Sequence, residues 1–128
     1  MPDQITPGLI DQHACHAFLY GACGGLAIAL HDTTGWPIVT VLANDGIELH
    51  YMVRNPATGH LVDITGSRDD DDVLLHYEFA ASGGAVTLIE PVLRDHVWDQ
   101  WQAHGDPYPM NLVHSFVSPV LDHASVRR

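Results

Sequence analysis

Cationic side chains are scarce in this chain. Five Lys+Arg stand against 16 Asp+Glu, a formal net charge of -11 over 128 residues. Binding nucleic acid through its phosphates needs clustered cations, and so does docking on an anionic membrane surface; both are excluded as expectations. There are only two cysteines, Cys15 and Cys23, too few for a disulfide framework. No His-Glu-x-x-His or Cys-x-x-Cys spacing occurs among the ten histidines, so neither a metal nor a cofactor is expected. No apolar run approaches a membrane span. The start, Met1-Pro2-Asp3-Gln4, lacks the positive and apolar regions of a signal peptide, and a cytoplasmic location is the expectation. What remains is a globular composition, 46% hydrophobic and 16% charged, with length for one core.

Residues 1–9 read as a lead-in. A short helix or turn is predicted over 11–20, broken at Gly21. Cys23 to His31 (Cys-Gly-Gly-Leu-Ala-Ile-Ala-Leu-His) is apolar nearly all round, which predicts a central, buried helix. Strands are predicted at 38–42, 48–54 and 60–64, with turns at Asn44-Asp45-Gly46 and across 55–59. Ser67 and Asp70 fit a capping box, with the acidic residue three positions after the cap, so a helix is predicted from Ser67 through Tyr77. The aspartates at 69–72 complement its dipole; they lack the alternation and central glycine of a calcium loop. After a Gly83-Gly84 turn come a fourth strand at 85–89 and a helix from Pro91 to Ala103. The expected fold is α+β, with a helix bearing Cys23 packed on an antiparallel sheet of about four strands. One domain is expected over 8–105. Residues 106–128 are expected as a partly docked extension that frays from Ala124.

Cys23 opens its helix after a small-residue turn, where the helix dipole favours thiolate over thiol. Two downstream strands carry His50 and Asp63. If Arg54 pairs with Gly59, the antiparallel index sum is 113, and His50 lies directly opposite Asp63. A one-residue slip would send Asp63 to the other face. In the predicted register the carboxylate orients the imidazole, whose other nitrogen addresses the sulfur.

In this order of Cys23-Gly24-Gly25-Leu26-Ala27, His50-Tyr51-Met52-Val53-Arg54 and His60-Leu61-Val62-Asp63-Ile64-Thr65-Gly66, the chain resembles the papain-like cysteine peptidase superfamily in its broad sense. That includes its transglutaminase-like and bacteriocin-leader peptidase branches. The resemblance covers roughly residues 10–65. It implies Cys23 as nucleophile, His50 as base and Asp63 as orienter, acting on amides or thioesters of a peptide or protein substrate; the acidic surface, with its net charge of -11, would tolerate basic peptides. Many members place a glutamine about six residues before the cysteine to complete the oxyanion hole; here that position is Ala17. Gln12, His16 and Tyr20 are candidate second donors, Gly24 allows close approach beside the sulfur, and Trp36 is a candidate groove residue. Three alternatives stay open: Cys15, flanked by His13 and His16, as nucleophile; a redox pair of Cys15 and Cys23; and a non-catalytic acidic binding or inhibitor module on the same fold. The oligomeric state is not legible.

Overall fold

A helix that is apolar on every side must be surrounded, and α2 (Cys23–Thr34) is: Gly24 through Leu30 are all buried. It ends at Gly35, whose φ of 75° is left-handed and whose N–H bonds the His31 carbonyl at 2.8 Å. The computed structural model describes residues 5–80 and 84–126. Pro2 of the lead-in, Gly83 of the expected turn and the two final arginines lie outside these residues.

Before α2 comes α1 (Gln12–Tyr20), capped by Asp11, which accepts from the Ala14 N–H. After it follow β1 (Ile38–Ala43), β2 (Glu48–Arg54), β3 (Leu61–Asp63), β4 (Gly66–Arg68), α3 (Asp70–Ala80), β5 (Val86–Val92), α4 (Arg94–His104), α5 (Met110–His114) and α6 (Val117–Val126). The fold is α+β. All strands join one antiparallel sheet in the order β4-β3-β2-β1-β5.

Strand alternation sorts the core into two parts. Ile38, Tyr51, Val53 and Val62 pack with α2, with Phe18 of α1, and with Val97 and Trp101 of α4. Val39, Val41, Met52 and Leu61 pack with Val73 and Tyr77 of α3. Residues 106–126 add more than a partly docked tail: Val113, Phe116, Val117 and Val120 are buried in the α2 core, and the Phe116 ring lies 5.0 Å from that of Phe18. The five residues of α5 are too few to show a helical period in sequence. No single helix among the described residues is long and apolar enough to cross a membrane.

Three elements differ from their sequence-based expectation. Ser67 starts no helix. It lies in β4, a fifth strand, and its hydroxyl bonds His60 Nδ1 at 3.1 Å. Asp69 caps α3 instead, accepting the Asp72 N–H at 2.9 Å. Two overlapping acidic cap patterns compete here, and the one that leaves Ser67 free to pair with Val62 prevails. Finally, α4 starts at Arg94, because Pro91 belongs to β5, where the Glu90–Pro91 bond is cis. Asp69→Ala should therefore lower stability by about 1 kcal/mol. Ser67→Ala should cost less than half of that in the same urea titration, and the reverse order would refute this cap assignment.

Candidate active site

The β2–β3 pairing sets this site. Val53 pairs with Val62 and Arg54 with Leu61, an index sum of 115. The predicted sum of 113 is thus two residues off, because six residues, 55–60, close the turn rather than four. Within the turn the Asn55 N–H bonds the His60 carbonyl and the Gly59 N–H bonds the Asn55 carbonyl. A slip of two preserves the face. Asp63 falls diagonally from His50 instead of opposite, within reach for side chains of this length. The two side chains meet: His50 Nε2 lies 2.8 Å from Asp63 Oδ2, with His50 fully buried and Asp63 3% exposed.

Asp63 is held on every side. Its Oδ2 also accepts from Arg68 at 2.8 Å, and its Oδ1 accepts the Thr65 N–H at 2.8 Å and hydroxyl at 2.5 Å. Burial alone would raise its pKa. The His50 bond and charge, then Arg68 and Thr65, outweigh burial and hold the carboxyl well below the usual carboxylate range. A carboxylate only accepts, so the His50 proton on this side is at Nε2. The ring stacks on Tyr77, with centroids 5.5 Å apart, and the His50 carbonyl accepts the Thr40 hydroxyl at 2.9 Å.

The other ring nitrogen, Nδ1, is buried and makes no hydrogen bond of ordinary geometry. Besides Asp63, the group that holds the ring's charge is the Cys23 thiol. It reaches His50 because β3 pairs with β2 only at Val53 and Arg54. The earlier part of β2 has no strand on that side, and the first residue of α2 meets it there. The sulfur faces the backbone N–H groups of Tyr51 and Gly24. Ala22, at the N-cap, offers no side-chain acceptor to the first-turn N–H groups. Burial would raise the Cys23 pKa, but the His50 bond and charge and then these two N–H groups lower it. Burial would likewise depress His50. Asp63 and Cys23 instead push it from 6.5 up to about 9. Both shifts favour a thiolate beside an imidazolium.

Cys23 is partly buried and lies in a cleft of about 640 Å³. One wall is the β1–β2 hairpin, with Leu42, Ile47, Glu48 and Leu49; the other is α4, with His96, Gln100, Trp101 and His104. Glycine makes the second wall possible. A Cβ at Gly25 would lie 2.7 Å from Trp101 Cζ2, and one at Gly24 would lie 3.3 Å from Val97 Cγ1. These glycines admit another helix beside the one that carries Cys23.

The other sequence candidates separate. Tyr20 is 73% exposed and lines the cleft, as does Gly24. Gln12 and His16 are exposed on α1 and do not line it; the His16 ring lies tilted against that of Tyr20, centroids 4.9 Å apart. Trp36 follows the far end of α2, about 18 Å along the helix from Cys23, where its carbonyl bonds His31 Nδ1 at 2.8 Å. Cys15 is free and partly buried. Burial, then Asp63 and Asp11, pushes its thiol up, the wrong direction for a nucleophile. Among the described residues no three His, Cys, Asp or Glu side chains are grouped to hold a metal ion. Glu48, His96, Gln100 and Tyr77 escaped the sequence reading; strands and helices distant in sequence bring them here, and no local motif marks them. Comparisons with protein families, curated proteins and solved structures give no match.

Proposed function

We propose that this protein is a compact thiol hydrolase or acyltransferase acting on amide or thioester bonds, with papain-like chemistry. One observation carries the reading: His50 is buried with one nitrogen bonded to Asp63 at 2.8 Å and the other left for the Cys23 sulfur. The thiolate attacks the substrate carbonyl carbon, and the carbonyl π electrons move to oxygen. The Cys23 N–H at the helix start donates to that oxyanion. The imidazolium of His50 protonates the leaving amine or thiol as the tetrahedral intermediate collapses to a thioester on Cys23. Water or an amine then attacks, His50 takes its proton, and the thiolate is released. Asp63 stays ionised throughout and fixes the ring. Tyr20, Gln100 and His104 line the cleft without a hydrogen bond among the described residues, and each carries a donor suited to be the second oxyanion partner. A reduced thiol suits a reducing compartment such as the cytosol. The second reading, an acidic binding module, is favoured by Ala17 standing where a glutamine would complete the oxyanion hole.

Alkylation of Cys23 by iodoacetamide across pH, in a Cys15→Ser background, separates the two. The midpoint should fall below the free-cysteine value of about 8.5. His50→Ala should move it upward by about one to two pH units. A thiol that ignores His50 would sink the enzyme reading and leave the binding module.

A further inference from the structure

The cleft beside Cys23 has one carboxylate in its lining, Glu48, and neither Lys nor Arg. Glu48 Oε1 accepts two hydrogen bonds, from the Tyr51 phenol and from His96 Nε2, the latter at 2.8 Å. Among the described residues no hydrogen bond ends on Oε2. The carboxylate is thus oriented from both walls, by β2 and by α4, with one oxygen uncommitted. Its side chain is 22% exposed, enough to be met from the cleft. Burial and the Glu48 bond push the Tyr51 phenol above its usual range, so this partner stays a donor.

Leu42, Ile47 and Leu49 line the same wall. An aliphatic surface leading to an oriented carboxylate matches a flexible aliphatic stem that ends in a cation. Tyr51 joins this feature to the chemistry: its phenol holds Glu48, and its backbone N–H faces the Cys23 sulfur. The net charge of -11 adds a long-range pull on cationic ligands, screened by salt.

We infer that Glu48 is a specificity residue that receives a lysine or arginine side chain of a peptide substrate beside Cys23. The inference rests on Cys23 being the nucleophile. A merely structural Glu48, holding Tyr51 and His96 in place, would give no preference among substrate side chains.

The test uses peptidyl chloromethyl ketones ending in lysine, arginine, norleucine or glutamate. The Cys23 thiolate displaces chloride at the methylene carbon and forms a thioether, read by intact mass. Each rate is divided by the iodoacetamide rate of the same protein, which separates cleft recognition from thiol reactivity. The lysyl and arginyl probes should react roughly tenfold or more faster than the norleucyl probe, the ratio expected for one charged hydrogen bond. Glu48→Gln should bring that ratio near one, and Glu48→Lys should turn it toward the glutamyl probe. Equal normalised rates in the unmodified protein, a comparison that needs no variant, would overturn the inference. So would a preference that survives Glu48→Gln, or failure of every peptidyl probe while iodoacetamide still alkylates Cys23. If iodoacetamide fails as well, the nucleophile reading falls and takes this inference with it.

Discussion

Asp63→Ala should cost about 3–5 kcal/mol of folding stability, the usual penalty for removing one partner of a buried charged pair. The magnitude follows from what is left behind. The His50 N–H, the Arg68 guanidinium and two Thr65 donors all end on Asp63, which is 3% exposed. Water cannot reach the fully buried His50 N–H, so its lost acceptor leaves an unmet desolvation cost, while the partly exposed Arg68 and Thr65 donors are left without their partner beside it. Urea unfolding measures the effect, and a loss below about 1 kcal/mol would mean that the donors find other partners. Asp63→Asn is the sharper variant. An amide of the same shape presents donors as well as an acceptor. It would favour the His50 tautomer with the proton on Nδ1, facing the sulfur, where the ring cannot take the thiol proton. Cys23 alkylation in Asp63→Asn should therefore shift to higher pH even where the fold survives. The sign in acid also follows. A carboxyl held below its ordinary 3.8 contributes stability that is whole above that value and is lost as pH falls through its lowered folded value. The gap between the parent protein and Asp63→Asn should be widest near neutrality and should close in acid. A gap that widened in acid would contradict an ionised Asp63.

The same residue marks how far the sequence reaches. Alternation in 48–54 and 60–64 was enough to put His50 and Asp63 on one face, because a sheet face is decided by parity. It was not enough to choose between index sums of 113 and 115, because that choice belongs to the turn. The six-residue closure depends on how Asn55, Gly59 and His60 bond one another, and on Arg54 reaching the Gly59 carbonyl and Asp70 together. The α2 helix was legible from its unbroken apolar composition. Helix α3 was legible as an element but not in its start, since Ser67 and Asp69 are both good caps and strand pairing decides between them. The hidden parts are those made by packing across distant segments. Glu48 becomes a cleft carboxylate only when α4 lies across α2 and brings His96 to it. Trp36 looks like a groove residue beside a proline, but a rigid twelve-residue helix separates it from Cys23.

Trp101→Ala should also cost about 3–5 kcal/mol, as removal of a buried tryptophan does, and it should dismantle one wall of the cleft. Trp101 is 4% exposed. Its indole N–H donates to the Asp106 carbonyl at 2.8 Å, and its own carbonyl accepts the Gly105 N–H at 2.8 Å. The Asp106 N–H in turn bonds the Gly21 carbonyl at 2.8 Å, so the ring anchors the loop after α4 to the turn before Cys23. The ring fits because Gly25 has no side chain: a Cβ there would lie 2.7 and 2.8 Å from Trp101 Cζ2 and Cη2. Two opposed effects meet at Gly25. Alanine in a helix gains about 1 kcal/mol over glycine. Forcing a methyl into a packed core costs about 1–3 kcal/mol. The ring is tethered at both its indole and its backbone, so it yields little, and Gly25→Ala should destabilise the protein. With Trp101→Ala as background the ring is gone and only the helical gain remains, so the same substitution should stabilise. The change of sign, read from four urea titrations in a double-mutant cycle, isolates the contact between residue 25 and the ring. An equal cost in both backgrounds would show that Gly25 is needed for its backbone rather than for the space it leaves to Trp101.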